Sequence, residues 1–335
     1  MSTLKIPRLT RQVTIKDYIP GQPIPELIRD PRNGRVLVNP LKKYVKPYTL
    51  SIAPSTITLA ADGEPTDFIP MPLDGKGPFE VMQAFFKSQR AEGFTVQLFD
   101  PEHNPILMNR EIHVGTIASG GGTGTNYEVF GAVGSAGRPF IWPETFFMNE
   151  RWAGKCLFAV FRNLSTSSNL IRFALHGQKW YHMQATPSVA ERMTAIYRDR
   201  LRTMPFFYTT DQYMRLSSLG DQEWTVRFTD EAWTEWSKSM IVRDDAFNVQ
   251  ILETVSRKAY MPQPLPDSTV FGSGEFPFLN WESAVYEPDF QLSFRSVNPL
   301  AETIDVWLTL GCRKIFPDPQ DAVLLQPGKS PGVTQ

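Results

Sequence analysis

Two cysteines, Cys156 and Cys312, and four histidines, His103, His113, His176 and His182, are all that this chain has of either type. So few thiols exclude a disulfide framework and a cysteine-rich zinc site, and point to folding in a reduced, intracellular setting. The histidines form no helix-face pair and no ligand triplet with neighbouring carboxylates, so no metal is expected. No apolar run approaches the roughly 18 residues of a membrane span. The opening MSTLKIPRLT lacks the apolar stretch of a secretory signal.

Proline and glycine, in contrast, are plentiful at 28 and 22 residues of 335, which implies many turns. A hydrophobic content of 41% excludes wholesale disorder, and a chain of this length suits two domains. The net charge of −1 is unevenly spread. Residues 1–47 hold Lys5, Arg8, Arg11, Lys16, Arg29, Arg32, Arg35, Lys42, Lys43 and Lys46 against Asp17, Glu26 and Asp30, so this segment is +7 and the remainder −8. Seven prolines in the same stretch, from Pro7 to Pro47, disfavour a helix and predict an extended basic arm. Such an arm suits an acidic neighbouring subunit, and Arg8, Arg11, Lys16, Arg29, Arg32, Arg35, Lys42, Lys43 and Lys46 are its candidate contact residues. A strap on its own domain is the alternative reading, and nucleic acid is a lesser one.

Blocks of sequence recur in order at a spacing of 127–138 residues, beginning with Pro78–Phe79 against Pro205–Phe206. GFTVQLFD (93–100) matches EWTVRFTD (223–230), and PFIWPE (139–144) matches PFLNWE (277–282). Phe161–Arg162 matches Phe294–Arg295, IRFAL (171–175) matches IDVWL (304–308), and Lys179 falls against Lys314. Phe94, Val96 and Leu98 alternate with neighbours of the other face, as strand residues do. Strands are expected near 48–60, 79–86, 94–99, 111–117, 127–133, 157–162 and 170–181 in the first copy. The predicted fold is all-β: two tandem β-sandwich or jelly-roll domains related by internal duplication, joined by one α-helix, behind an extended basic N-terminal arm. The boundaries are an arm at 1–47, a first sandwich at 48–185, a connecting helix at 186–204, a second sandwich at 205–318 and a tail at 319–335. Thr186 as N-cap and Pro187 at the first turn open the helix, and Pro205 stops it. A second short helix with Trp233 and Trp236 is expected after Thr229.

No motif forces a chemistry. Gly328–Ser330 lacks the upstream glycine of a phosphate loop, and the glycine-rich 119–126 stretch lacks its lysine. Glu144 and Glu282 correspond across the repeat, as do Asp100 and Asp230, which favours turn and cap duties over acid–base catalysis. Cys156 has no histidine placed as a base. The expectation is no enzyme, no cofactor, no metal and no membrane. Trp142, Trp152, Trp180, Trp233, Trp236 and Trp281 could serve a carbohydrate-binding module, although packing is the commoner use.

PFIWPE followed by LFAVFRNLSTSSNLIRFALHGQKWY (157–181), with LMNREIH (107–113) upstream, resembles a stretch of β-sandwich virion proteins of tailed bacteriophages. The resemblance covers about residues 78–182; the second copy departs from it, with FRSVNP for FRNLS and LGCRKIF for LHGQKWY. It implies a structural component of the head, neck, collar or capsid, made in the host cytoplasm and resident in the virion, whose partners are its own copies and other virion proteins. Two similar domains in one chain also resemble the double jelly-roll major capsid proteins of tailless viruses.

Overall fold

The computed structural model describes residues 27–29, 36–38, 44–61, 63–119, 146–148, 155–181, 187, 190–193, 203–210, 214–229, 231–272 and 278–316. Within these the chain is all-β. A small hairpin of β1 (Leu27–Arg29) and β2 (Val36–Val38) comes first. The first unit then comprises β3 (Val45–Ser51), β4 (Ile57–Leu59), β5 (Ile69–Pro72), β6 (Phe79–Ser88), β7 (Phe94–Phe99), β8 (Pro105–Ile106), β9 (Ile112–His113), the one-turn helix α1 (Val114–Ile117), β10 (Ala118–Ser119), β11 (Phe146–Met148), β12 (Cys156–Asn163) and β13 (Asn169–Trp180). The second comprises β14 (Thr203–Tyr208), β15 (Met214–Leu216), β16 (Asp221–Arg227), β17 (Trp233–Arg243), β18 (Asn248–Glu253), β19 (Leu265–Pro266), a 3-10 turn at Asp267–Thr269, β20 (Phe278–Tyr286), β21 (Gln291–Val297) and β22 (Ile304–Ile315).

Each unit is a sandwich of two sheets. In the first, one sheet runs β10-β6-β13-β3, with β11 also on β6 and β4 on β13; the other runs β5-β12-β7-β8, with β9 on β7. In the second, β20-β17-β22-β14 with β15 faces β16-β21-β18-β19. Taken in chain order, the strands of the two units pair in the same sequence. Alternation explains the burial: Leu157, Ala159 and Phe161 of β12 are buried, as are Ile304, Val306, Leu308 and Leu310 of β22. The inner faces close over two apolar cores, one around Phe79, Phe94, Phe161 and Phe173, the other around Tyr208, Phe228, Phe294 and Leu308.

Polar anchors recur with the strands. Asn163, at the end of β12, donates through Nδ2 to the carbonyls of Ala60 (2.6 Å) and Ser167 (2.8 Å) and accepts from the Ser165 amide (3.2 Å). Asn298, just past β21, does the same with Ser217 (2.9 Å), Glu302 (2.6 Å) and the Leu300 amide (2.8 Å). Each ties the turn that follows it to the end of β4 or β15. Lys179 and Lys314 are both almost fully buried, each over an aromatic ring (Tyr48 at 4.4 Å, Phe206 at 3.7 Å) and each paired with a carboxylate, Asp74 or Glu231. A buried ammonium without such partners would be strongly destabilising. Burial raises the Asp74 carboxyl, yet the hydrogen bonds from Lys179 and the Lys76 amide outweigh it and hold Asp74 below its ordinary range.

The structure corrects several expectations. Residues 93–100 and 223–230 do not occupy matching places: β7 lies between β12 and β8, whereas β16 is an edge strand beside β21. Nor do Pro78–Phe79 and Pro205–Phe206, since Phe79 opens β6 and Pro205 lies in β14, the counterpart of β3. Residues 111–117 are a two-residue strand followed by a helical turn. The segment after Thr229 is the long strand β17, not a helix: Trp236 points into the core and β17 pairs with both β20 and β22. Lys46 and Pro47 belong to β3, which pairs with β13, so the arm ends before Val45. Arg29 lies in β1 of a hairpin, so the arm is not extended throughout. Arg8, Arg11, Lys16, Arg32, Arg35, Lys42 and Lys43, the strand expected at 127–133 and the tail lie outside the described residues. Of the connecting helix, 187 and 190–193 are described, and these are helical.

Asn163→Ala and Asn298→Ala should each cost about 3 kcal/mol in urea unfolding, roughly 1 kcal/mol for each of three lost hydrogen bonds. Gly177→Ala should be at least as damaging, since a Cβ there would lie 1.8 Å from the Glu80 carbonyl oxygen.

Candidate functional site

The best-built polar site in the described structure is the junction between the two units, and it begins with an edge strand. β14 pairs with β22 on one side. On its other side the Phe207 amide donates to the Leu107 carbonyl (2.8 Å) and the Asn109 amide donates to the Phe207 carbonyl (3.3 Å), so residues 107–109 of the first unit form a parallel bridge with the second unit's sheet. Leu107 takes a φ of 65° to do so. The Asn109 side chain then clamps Thr209, donating Nδ2 to its carbonyl (3.0 Å) and accepting its amide on Oδ1 (3.0 Å). Arg110 reaches the Thr210 carbonyl at 3.4 Å.

Beside this edge, α1 covers the outer face of the second unit's sheet. The Thr116 and Thr309 hydroxyls meet at 2.7 Å, and the His113 ring lies 5.7 Å from that of Trp307. Phe207 and Met240 of the second unit are fully buried and belong to the first unit's apolar core. Capping an edge strand in this way removes the open N–H and C=O groups that would otherwise pair with another chain.

His113 is the titratable group of the junction. Its Nε2 lies 3.0 Å from the Glu92 carbonyl, which only accepts, and its Nδ1 lies 3.0 Å from the Gly115 amide, which only donates. The ring is therefore neutral, with the proton on Nε2. Burial pushes its pKa down to about 4, against a weaker opposing effect of the Glu92 hydrogen bond. Sequence reading passed over His113 because its partners are backbone groups, which leave no spacing signature.

Elsewhere the chemistry is structural. Among the described residues no three His, Cys, Asp or Glu side chains gather where they could hold a metal ion. His176 lies within β13, where it hydrogen-bonds Thr49 at 2.9 Å. His103 stacks on Phe68 at 4.2 Å. Asp100 is buried and accepts the Glu102 and Asn104 amides, the turn duty expected of it. Cys312 is buried and its thiol pKa is pushed up, which makes it a poor nucleophile. Cys156 opens β12 and is half-buried. Trp180 and Trp236 are buried, hydrogen-bonding Glu80 and the Lys238 carbonyl, so neither offers a face to a sugar; Trp233 is exposed. Trp142, Trp152, Glu144, Asp230 and His182, and the side chains of Glu282 and Trp281, lie outside what is described. No described helix is long and apolar enough to cross a membrane.

No protein-family model and no curated protein matches the chain. Among solved structures, the crystal structure of the plant receptor-like kinase ANX2 aligns over 88% of this chain and 95% of its own, with 7% identity and a TM-score of 0.22. That likeness carries no argument about fold or function.

Because the pKa of His113 is lower folded than unfolded, the unfolded chain binds its proton first. The stability this site contributes is whole above about pH 6.5 and is lost as pH falls toward 4, on the order of 3 kcal/mol. Urea midpoints measured from pH 7 to 4 should therefore drop more steeply for the wild type than for His113→Gln. Parallel curves would contradict this assignment.

Proposed function

We propose that this chain is a virion structural protein of the bacteriophage kind, which works through subunit–subunit contacts in the particle and has no catalytic role. The observation that carries the reading is the strand order. In each unit β3-β13-β6-β11 or β14-β22-β17-β20 faces β5-β12-β7-β9 or β16-β21-β18-β19, the interleaving of a jelly roll, an architecture widely used in capsids. Lectins and cupins share that architecture, so the fold alone does not assign the role. The second support is the junction, which locks two such units into one body.

Within this class the strand order favours the double jelly-roll major capsid protein over a neck or collar component, since two jelly rolls stand in one chain. We take the two units to be copies of one ancestral sandwich, with residues 186–204 as the helix between them. Asn163 with Asn298, Lys179 with Lys314, Pro47 with Pro205, and the bulges opposite His176–Gly177 and Gly311–Cys312 all support descent from a common unit.

The basic segment before Val45 is the proposed tether to neighbouring subunits or other virion proteins. Removing residues 1–43, which leaves β3 whole, should give a protein that melts as the wild type does but no longer forms particles or sheets in electron micrographs. Unchanged assembly would remove the tether from the account, and a wild type that never assembles would remove the structural role.

A further inference from the structure

The junction inside the chain joins unlike surfaces: a docking segment on the first unit and a sheet edge with its outer face on the second. Since both units have the same strand pairing, each has a segment and a sheet edge at the corresponding places, and the junction uses only one of each. The second unit's docking segment is Ala259–Gly272, and the first unit's receiving edge is β3.

Pairing fixes the correspondence. Pro105 lies opposite Phe99 of β7 as Ala259 lies opposite Leu252 of β18. His113 lies opposite Thr95 as Pro266 lies opposite Asn248. Ser119 runs parallel to Phe85 as Gly272 does to Met240. The local turn is also kept: Thr116 donates to the His113 carbonyl at 2.8 Å, and Thr269 to the Pro266 carbonyl at 2.6 Å. Counting along, Met108, His113 and Thr116 correspond to Pro262, Pro266 and Thr269. The first three are buried at the junction, whereas the second three are exposed. Tyr260, at the start of this segment, is 44% exposed.

The receiving surface maps in the same way. Gly177 faces Tyr48 as Cys312 faces Phe206, so Thr49 stands where Phe207 does, and Phe85 stands where Met240 does. Phe207 and Met240 are fully buried, while Thr49 is exposed and Phe85 half-buried. Pro47 and Pro205 occupy matching positions two residues earlier. A proline tolerated in an edge strand turns its missing N–H outward, so the Thr49 peptide groups, in the same phase, also point to the open edge. Among the described residues β3 ends its sheet.

We propose that a second copy of this chain docks its Ala259–Gly272 segment onto the β3 edge and outer face around Thr49, repeating between chains the junction found within one. The partner follows from continuity with the internal interface: the segment and the edge left exposed stand, in the fold, where the junction's own two surfaces do. The inference rests on the assembly reading and adds to it the surfaces and their direction.

The test is a mixing experiment on the full chain, followed by sedimentation velocity. Thr49→Arg spoils the receiving surface and Ser268→Arg the docking surface; both positions are exposed, and Thr49→Glu and Ser268→Glu replace them should either arginine variant misfold. The wild type should assemble, and each variant alone should stay monomeric, its association weakened roughly tenfold or more. An equal mixture of the two should form a heterodimer and stop there, because one sound surface remains on each chain. Wild-type assembly that ignores both substitutions would overturn this proposal and leave the assembly reading standing. Folded variants that form no heterodimer would also overturn it, and a wild type monomeric at every concentration would overturn both.

Discussion

The peptide group of Phe207 sits at the point on which the shape of this molecule depends. A sheet edge ending at β14 would expose a backbone donor and acceptor among apolar side chains, and burying them unpaired would cost several kcal/mol. The first unit supplies the missing partners from Leu107 and Asn109. With that edge satisfied, α1 can lie on the sheet and Phe207 and Met240 can join the neighbouring core. The two sandwiches thereby become one body, with a defined direction from the first unit to the second.

The same economy of polar groups runs through each unit. Asn163 and Asn298 satisfy the carbonyls and amides at one end of each sandwich. Lys179 and Lys314 bring a charge into the interior only where a ring and a carboxylate receive it. These residues set register and turn geometry, which apolar packing alone leaves loosely specified. His113 belongs with them: it is a junction residue held neutral by two backbone contacts, and acid would break one of them.

Much of the fold was legible in the sequence, because period-2 burial writes itself directly into apolar spacing, as at Phe94, Val96 and Leu98 or Ile171, Phe173 and Leu175. The same property misled the matching of 93–100 with 223–230. Alternation is shared by every half-buried strand, so two strands from different places in the sandwich can look alike. Asn163 and Asn298 hold matching places in the two units, but their role lies in contacts with turns more than 80 residues away, which the sequence does not display. The helix expected at Trp233 failed because spacing of two tryptophans fits a helix turn as well as a bulged strand, and the tertiary pairing of β17 with β22 decides. The junction itself was invisible, since Leu107 and Phe207 bond through their backbones and the Asn109 side chain binds the backbone of Thr209, contacts that leave no spacing signature.

Two sandwiches joined by an unlike-surface contact are proposed to form a unit that repeats that contact with its own copies. Electron cryomicroscopy of the purified full chain tests it most directly. The expected result is an assembly in which the second unit of each chain lies against β3 of the next, with the same relative orientation as the two units within a chain. Separate monomers, or two-fold dimers that leave the β3 edge uncovered, would contradict it.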